Sequence, residues 1–85
     1  MKLKNMQLYC EKCHILGTLL MDILSTDIGE RTKNRATYLL HNIYRGPEKL
    51  YDMRAFSCAS DIGRRFPEIF NIYWEIHCMI YHRGE

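Results

Sequence analysis

The sequence predicts an all-α protein, a compact bundle of four to five short helices forming a single domain over residues 1–85. Three observations carry that expectation. Apolar residues recur at three- and four-residue spacing along most of the chain, which stacks them on single helix faces. Breakers are sparse, five Gly and two Pro in 85 residues, and no repeat or low-complexity stretch interrupts the pattern. Both prolines, Pro47 and Pro67, are followed by glutamate, the arrangement of a helix start.

The first segment, about residues 5–24, places Met6, Tyr9, Cys13, Leu16, Leu20, Ile23 and Leu24 on one stripe. Leu8, Ile15 and Leu19 widen it, so this helix is expected to be buried on more than one side. Ser25-Thr-Asp-Ile-Gly29 ends it. The second segment, about residues 30–44, has the stripe Ala36, Leu39, Leu40 and Ile43. Its first turns carry Arg31, Lys33 and Arg35, where the helix dipole disfavours cations, so these charges are expected to face an acidic partner or water. Gly46-Pro47 ends that helix and opens another, with Leu50, Met53, Ala55 and Phe56 facing inward. Ser57 or Ser60 is expected to cap a separate helix leading to Arg65. In the last segment, from Pro67 to about His82, the even positions Phe70, Ile72, Trp74, Ile76, Cys78 and Ile80 alternate as a strand would. Ile69, Ile72, Tyr73, Ile76 and Ile80 equally fit a helix. The Pro-Glu opening and the length of the run, too long for a lone strand, decide for helix.

Composition sets bounds on function. Aromatic residues make up 12% and charged residues 26% of the chain, values of a folded protein rather than a disordered tail. The net charge of +2 is too mild to signal nucleic-acid binding, so a local basic surface must carry any such role. No apolar run approaches the ~20 residues that span a membrane, and no signal-peptide pattern follows Lys2 and Lys4. A cytoplasmic protein with its four cysteines reduced is the expectation. A chain this short has little interior, and a homodimer is an expected way to bury more apolar area. No phosphate-cradling glycine loop, zinc-protease motif or nucleophile elbow is present, and the acidic residues are scattered, so a non-enzymatic role is expected.

The stretch from Ser57 to Ile76 points to a partner. Ile62 and Gly63 supply an apolar residue followed by a small one, Asp61 precedes them, and Phe66 stands three positions on. Across the corner, Tyr73 and Ile76 are placed to turn inward. Over these twenty or so residues the chain resembles helix-turn-helix proteins, in which two helices cross closely at the small residue. Pro67 departs from that pattern, standing where a glycine is frequent at the corner. The second helix would present Glu68, Phe70, Asn71, Trp74 and Glu75 outward. Asn71 fits an adenine edge, but Phe70 and Trp74 are unusual in a DNA groove and two glutamates repel phosphates. Aromatic residues and arginines are instead common anchors of protein interfaces. The expected partner-binding residues, for protein or DNA, are therefore Arg54, Arg64, Arg65, Phe70, Asn71, Tyr73 and Trp74.

The cysteines offer a third reading. Cys10-Glu-Lys-Cys13-His14 has the spacing of c-type haem attachment, a short motif whose chemistry normally takes place outside the cytosol. Zinc fits better: Cys10 and Cys13 are three apart and Cys78 and His82 four apart, so each pair shares a helix face and the four ligands would staple the first helix to the last. Cys58 or His77 offers a substitute ligand. Buried thiols behaving as small apolar groups are the competing expectation. His41 and His77 otherwise read as surface or interface histidines.

In overall character the chain also looks like the small accessory proteins of bacteriophages and their satellite elements. The likeness rests on a compact reading frame, the run from Ala59 to Ile76, and the aromatics Tyr73, Trp74 and Tyr81. It implies a regulator or adaptor that binds a larger phage or host protein, such as a repressor, packaging protein or polymerase, and redirects or inhibits it. The alternatives are a sequence-specific DNA-binding protein and a zinc-stapled structural module.

Overall fold

Five helices account for most of residues 6–81, the part of the chain that a computed structural model describes. They are α1 (Met6–Leu24), α2 (Glu30–Arg45), α3 (Pro47–Leu50), α4 (Met53–Gly63) and α5 (Pro67–Tyr81). No strand occurs among the described residues, so the last segment is a helix despite its alternating pattern. Its buried set, Ile69, Ile72, Tyr73, Ile76 and Ile80, follows the three- and four-residue spacing, while Phe70 and Trp74 lie off that stripe.

The helices start and stop for local reasons. Gly29 and Gly46 both have positive φ, 84° and 115°, backbone that side chains with a Cβ rarely adopt. Gly29 turns the chain into α2, and Gly46 separates α2 from α3, whose first residue is Pro47. The buried Asn42 fastens that second turn by donating its Nδ2–H to the Lys49 carbonyl at 2.9 Å. The cap of α4 differs from expectation. Asp52, not Ser57 or Ser60, begins the helix, its carboxylate accepting from the Ala55 amide at 2.6 Å. The Tyr38 hydroxyl donates to the same carboxylate at 3.3 Å, tying α2 to this cap. With the helix starting at Met53, that side chain lies in the first turn and is 87% exposed rather than inward.

The core is shared by all five elements. Leu16 and Leu20 of α1, Leu39 of α2, Leu50 of α3, Ala59 and Ile62 of α4, and Ile69, Tyr73 and Ile76 of α5 are essentially sealed from solvent. Full burial of each large aliphatic side chain stabilises by about 1.5–3 kcal/mol. α4 packs on both α2 and α5, and α1 packs on both α2 and α5. α1 is less enclosed than its sequence suggests, since Leu8 and Ile15 are 38% and 48% exposed. Helices this few cannot surround a central one, and full burial is confined to the face of Tyr9, Cys13, Leu16, Gly17, Leu20 and Ile23.

Two polar ties lock the arrangement. Arg31 and Arg35 at the start of α2 both reach the Asp61 carboxylate on α4, at 3.2 and 2.9 Å. Their unfavourable place on the helix dipole is thus answered inside the chain by Asp61. These arginines, with a smaller effect from Arg64, hold the Asp61 carboxyl below its ordinary range. Lys12 of α1 pairs with Glu75 of α5.

Candidate functional site

The corner between α4 and α5 is built on close helix approach. A Cβ added at Gly63 would fall 2.6 Å from the Phe70 Cβ, so only glycine lets the end of α4 lie this near α5. The chain turns over Arg64, Arg65 and Phe66, with the Phe66 amide donating to the Ile62 carbonyl at 2.9 Å and the Ile69 amide to the Phe66 carbonyl at 3.0 Å. Pro67 then opens α5 at a position that needs no amide hydrogen.

A cleft of about 230 Å³ lies at this corner, lined by Ser60, Gly63, Arg64, Pro67, Phe70 and Asn71. Three of the residues singled out from the sequence, Arg64, Phe70 and Asn71, therefore converge on one concavity. Arg64 and Asn71 are exposed and Phe70 is half-buried. Beyond the cleft, α5 carries a run of parallel rings. Phe70 stacks on Trp74 with centroids 6.1 Å apart and planes 17° off parallel, and Trp74 stacks on His77 at 5.1 Å and 8°. His77 stacks in turn on Tyr51 at 4.6 Å and 13°. Phe56 of α4 meets Phe70, Trp74 and His77 edge-on from beneath. Each such pair adds about 0.5–1.5 kcal/mol beyond area burial. The rings support one another, and the ladder leaves Trp74 44% exposed. Burial among these rings pulls the His77 imidazole below its ordinary value.

The other proposed contact residues are placed differently. Tyr73 is wholly buried and cannot touch a partner. Its hydroxyl donates to the Leu50 carbonyl at 2.6 Å, so it joins α5 to the end of α3. Arg65 is exposed but committed: its Nη1–H donates to the Ile28 carbonyl at 3.0 Å, and its guanidinium lies 5.4 Å from the Phe66 ring centroid. Arg54 covers the Tyr38 ring at 4.6 Å. Of the three arginines, Arg64 alone opens onto the cleft.

The cysteines do not assemble. Cys10 is exposed, Cys13 and Cys58 are buried, Cys78 is half-buried, and His82 lies outside the described residues. Among the described residues no group of three or more His, Cys, Asp or Glu side chains lies close enough to hold a metal ion. The zinc staple expected from Cys10, Cys13, Cys78 and His82 is thus not brought together by its three described members. Burial pushes the Cys13 and Cys58 thiols above their ordinary range, which keeps them protonated and poor as nucleophiles. No described helix is long and apolar enough to cross a membrane.

Two features of the site escaped the sequence reading. His77 reads from the sequence as a surface or interface histidine, yet it is an inner rung of the ladder, stacked between Trp74 and Tyr51. Its four-residue spacing from Tyr73 and three-residue spacing from Trp74 signal that placement. Phe56 was assigned to the core, but it also supports the exposed rings. Compared with known proteins, this chain matches no family model, and no curated protein or solved structure is detectably similar to it.

Proposed function

We propose that this protein is a small non-enzymatic regulator or adaptor, binding a larger protein through the α4–α5 corner and redirecting or inhibiting it. A phage or host protein such as a repressor, packaging component or polymerase is the kind of target in view. The observation that carries the reading is the half-exposed Trp74, held by Phe70 and His77 beside the cleft that Arg64 and Asn71 line. A rigid aromatic surface next to a guanidinium is the usual make-up of an interface anchor, because such rings bury much area with little loss of side-chain freedom.

The DNA-binding alternative has less behind it. A groove-reading helix needs several cations for phosphates. Here Arg65 is spent on the Ile28 carbonyl and Arg54 on Tyr38, while Glu68 and Glu75 lie exposed along α5.

The test is parallel affinity capture from cells that express the protein, using tagged wild type, Trp74→Ala and Arg64→Ala, each first checked for native helical content. A protein retained by wild type and lost by both variants supports the proposal. Retention that is equal for all three, or that nuclease abolishes, contradicts it.

A further inference from the structure

Building on the reading of the corner as an interaction site, we infer that its cleft receives an acidic side chain of a partner protein, flanked by an apolar residue that lies on the Phe70–Trp74 rings. The cleft's size sets the scale. At about 230 Å³ it falls below the ~300–1,000 Å³ of sites that enclose a whole small molecule. It has room for a side chain presented from outside.

The lining sets the chemistry. Ser60, Arg64 and Asn71 supply a hydroxyl, a guanidinium and an amide, and no carboxylate lines the cleft. Asp61, the acid nearest in sequence on α4, does not line the cleft; its carboxylate pairs with Arg31 and Arg35 and feels Arg64 only at longer range. Pro67 also lines the cleft, which places it at the positive end of the 15-residue helix α5. Guanidinium, amide and helix end all favour an anion, and a guanidinium fork matches a carboxylate in two parallel hydrogen bonds. The remaining wall, Phe70, is apolar and continues into Trp74 through the stack. A carboxylate next to an apolar group satisfies both parts. Inorganic phosphate has no apolar part and satisfies only the first.

The experiment needs no partner, so it stands apart from the capture test and can fail while that one succeeds. Three small probes, 3-phenylpropionate, its neutral amide 3-phenylpropionamide, and inorganic phosphate, are titrated into the folded protein. Backbone and side-chain amide NMR shifts are followed at Ser60, Gly63 and Asn71, with the Trp74 indole as a fourth reporter. The expected result is saturable shifts with phenylpropionate at these groups, and binding at least about fivefold tighter than the amide, the order of one charge-assisted pair at an open site. Arg64→Gln should bring the acid down to the amide's level. Arg45→Gln, which removes one positive charge at the far end of α2, should leave the preference intact. Equal binding of acid and amide, an unchanged preference in Arg64→Gln, or saturable binding of phosphate in place of phenylpropionate would each overturn the inference.

Discussion

Replacing Gly63 with alanine should destabilise the fold, while the same change at Gly17 should not. Both glycines are helical, so propensity alone favours alanine at each by up to about 1 kcal/mol, least at Gly63 because it is the last residue of its helix. The surroundings differ. At Gly17 the new methyl would meet the ends of Ile43 and Leu40 at 3.7 and 3.9 Å, ordinary contact distances. At Gly63 it would lie 2.6 Å from the Phe70 Cβ and 3.2 Å from its Cγ. A Cβ follows its own backbone and no rotamer change removes it, so α5 must move outward or the end of α4 must unwind. Overpacking of this kind costs about 1–3 kcal/mol, and after a propensity gain of about 0.5 kcal/mol a net loss of about 0.5–2.5 kcal/mol remains. In a domain of this size each kcal/mol moves Tm by about 4–8 °C, so Gly63→Ala should melt roughly 2–20 °C lower. Gly17→Ala should melt at or slightly above wild type. Thermal unfolding followed by circular dichroism, with urea midpoints at a common slope, measures both. A Gly63→Ala protein as stable as Gly17→Ala would show that α4 and α5 do not approach this closely, and the corner cleft would lose its basis.

Other outcomes follow from single contacts. Tyr73→Phe removes the donor to the buried Leu50 carbonyl and should cost about 1–3 kcal/mol in urea unfolding while leaving the exposed surface unchanged. Arg65→Gln should lose about 0.5–1.5 kcal/mol and speed hydrogen exchange around residues 25–29, where it holds the Ile28 carbonyl, without weakening probe binding at the cleft. Because burial lowers the His77 pKa below its usual 6.5, the unfolded chain binds a proton there more readily than the native one. Stability from this group is therefore full above about pH 7 and falls as pH drops through 6.5 toward the native value; His77→Phe should abolish that slope in a pH series of urea midpoints.

Much of this architecture is written in local pattern, and the failures have a common physical cause. Of the stripe Met6, Tyr9, Cys13, Leu16, Leu20, Ile23 and Leu24, all but the exposed Met6 and the half-buried Leu24 form the buried face of α1, and the Pro-Glu opening separates helix from strand in α5. The resemblance to helix-turn-helix proteins implies a close crossing at Gly63, and Phe70 does approach it there. What periodicity does not reveal is how much neighbouring surface exists to cover a stripe, which is why Leu8 and Ile15 stay exposed. Nor does it fix where a helix begins: Asp52, a favoured capping residue, takes the cap and turns Met53 outward. In the site, helical phase turns Asn71 and Trp74 to the surface and leaves Phe70 half-buried, while Arg64 stands out by its place beside the corner. Arg65 and Arg54 looked equivalent to Arg64, and their real partners, the Ile28 carbonyl and the Tyr38 ring, come from distant parts of the chain. Tyr73 carries both an apolar ring and a hydroxyl, so its sequence position is compatible with interface and core; the Leu50 carbonyl decides for the core.

Trp74 is the sole tryptophan of the chain, so its fluorescence reports directly on the surface that matters. Acrylamide quenching should be efficient in the isolated protein, where the indole is 44% exposed, and should fall sharply once a captured partner is bound. An indole already shielded in the isolated protein, or one quenched equally well in the complex, would contradict the assignment of this corner as the binding surface.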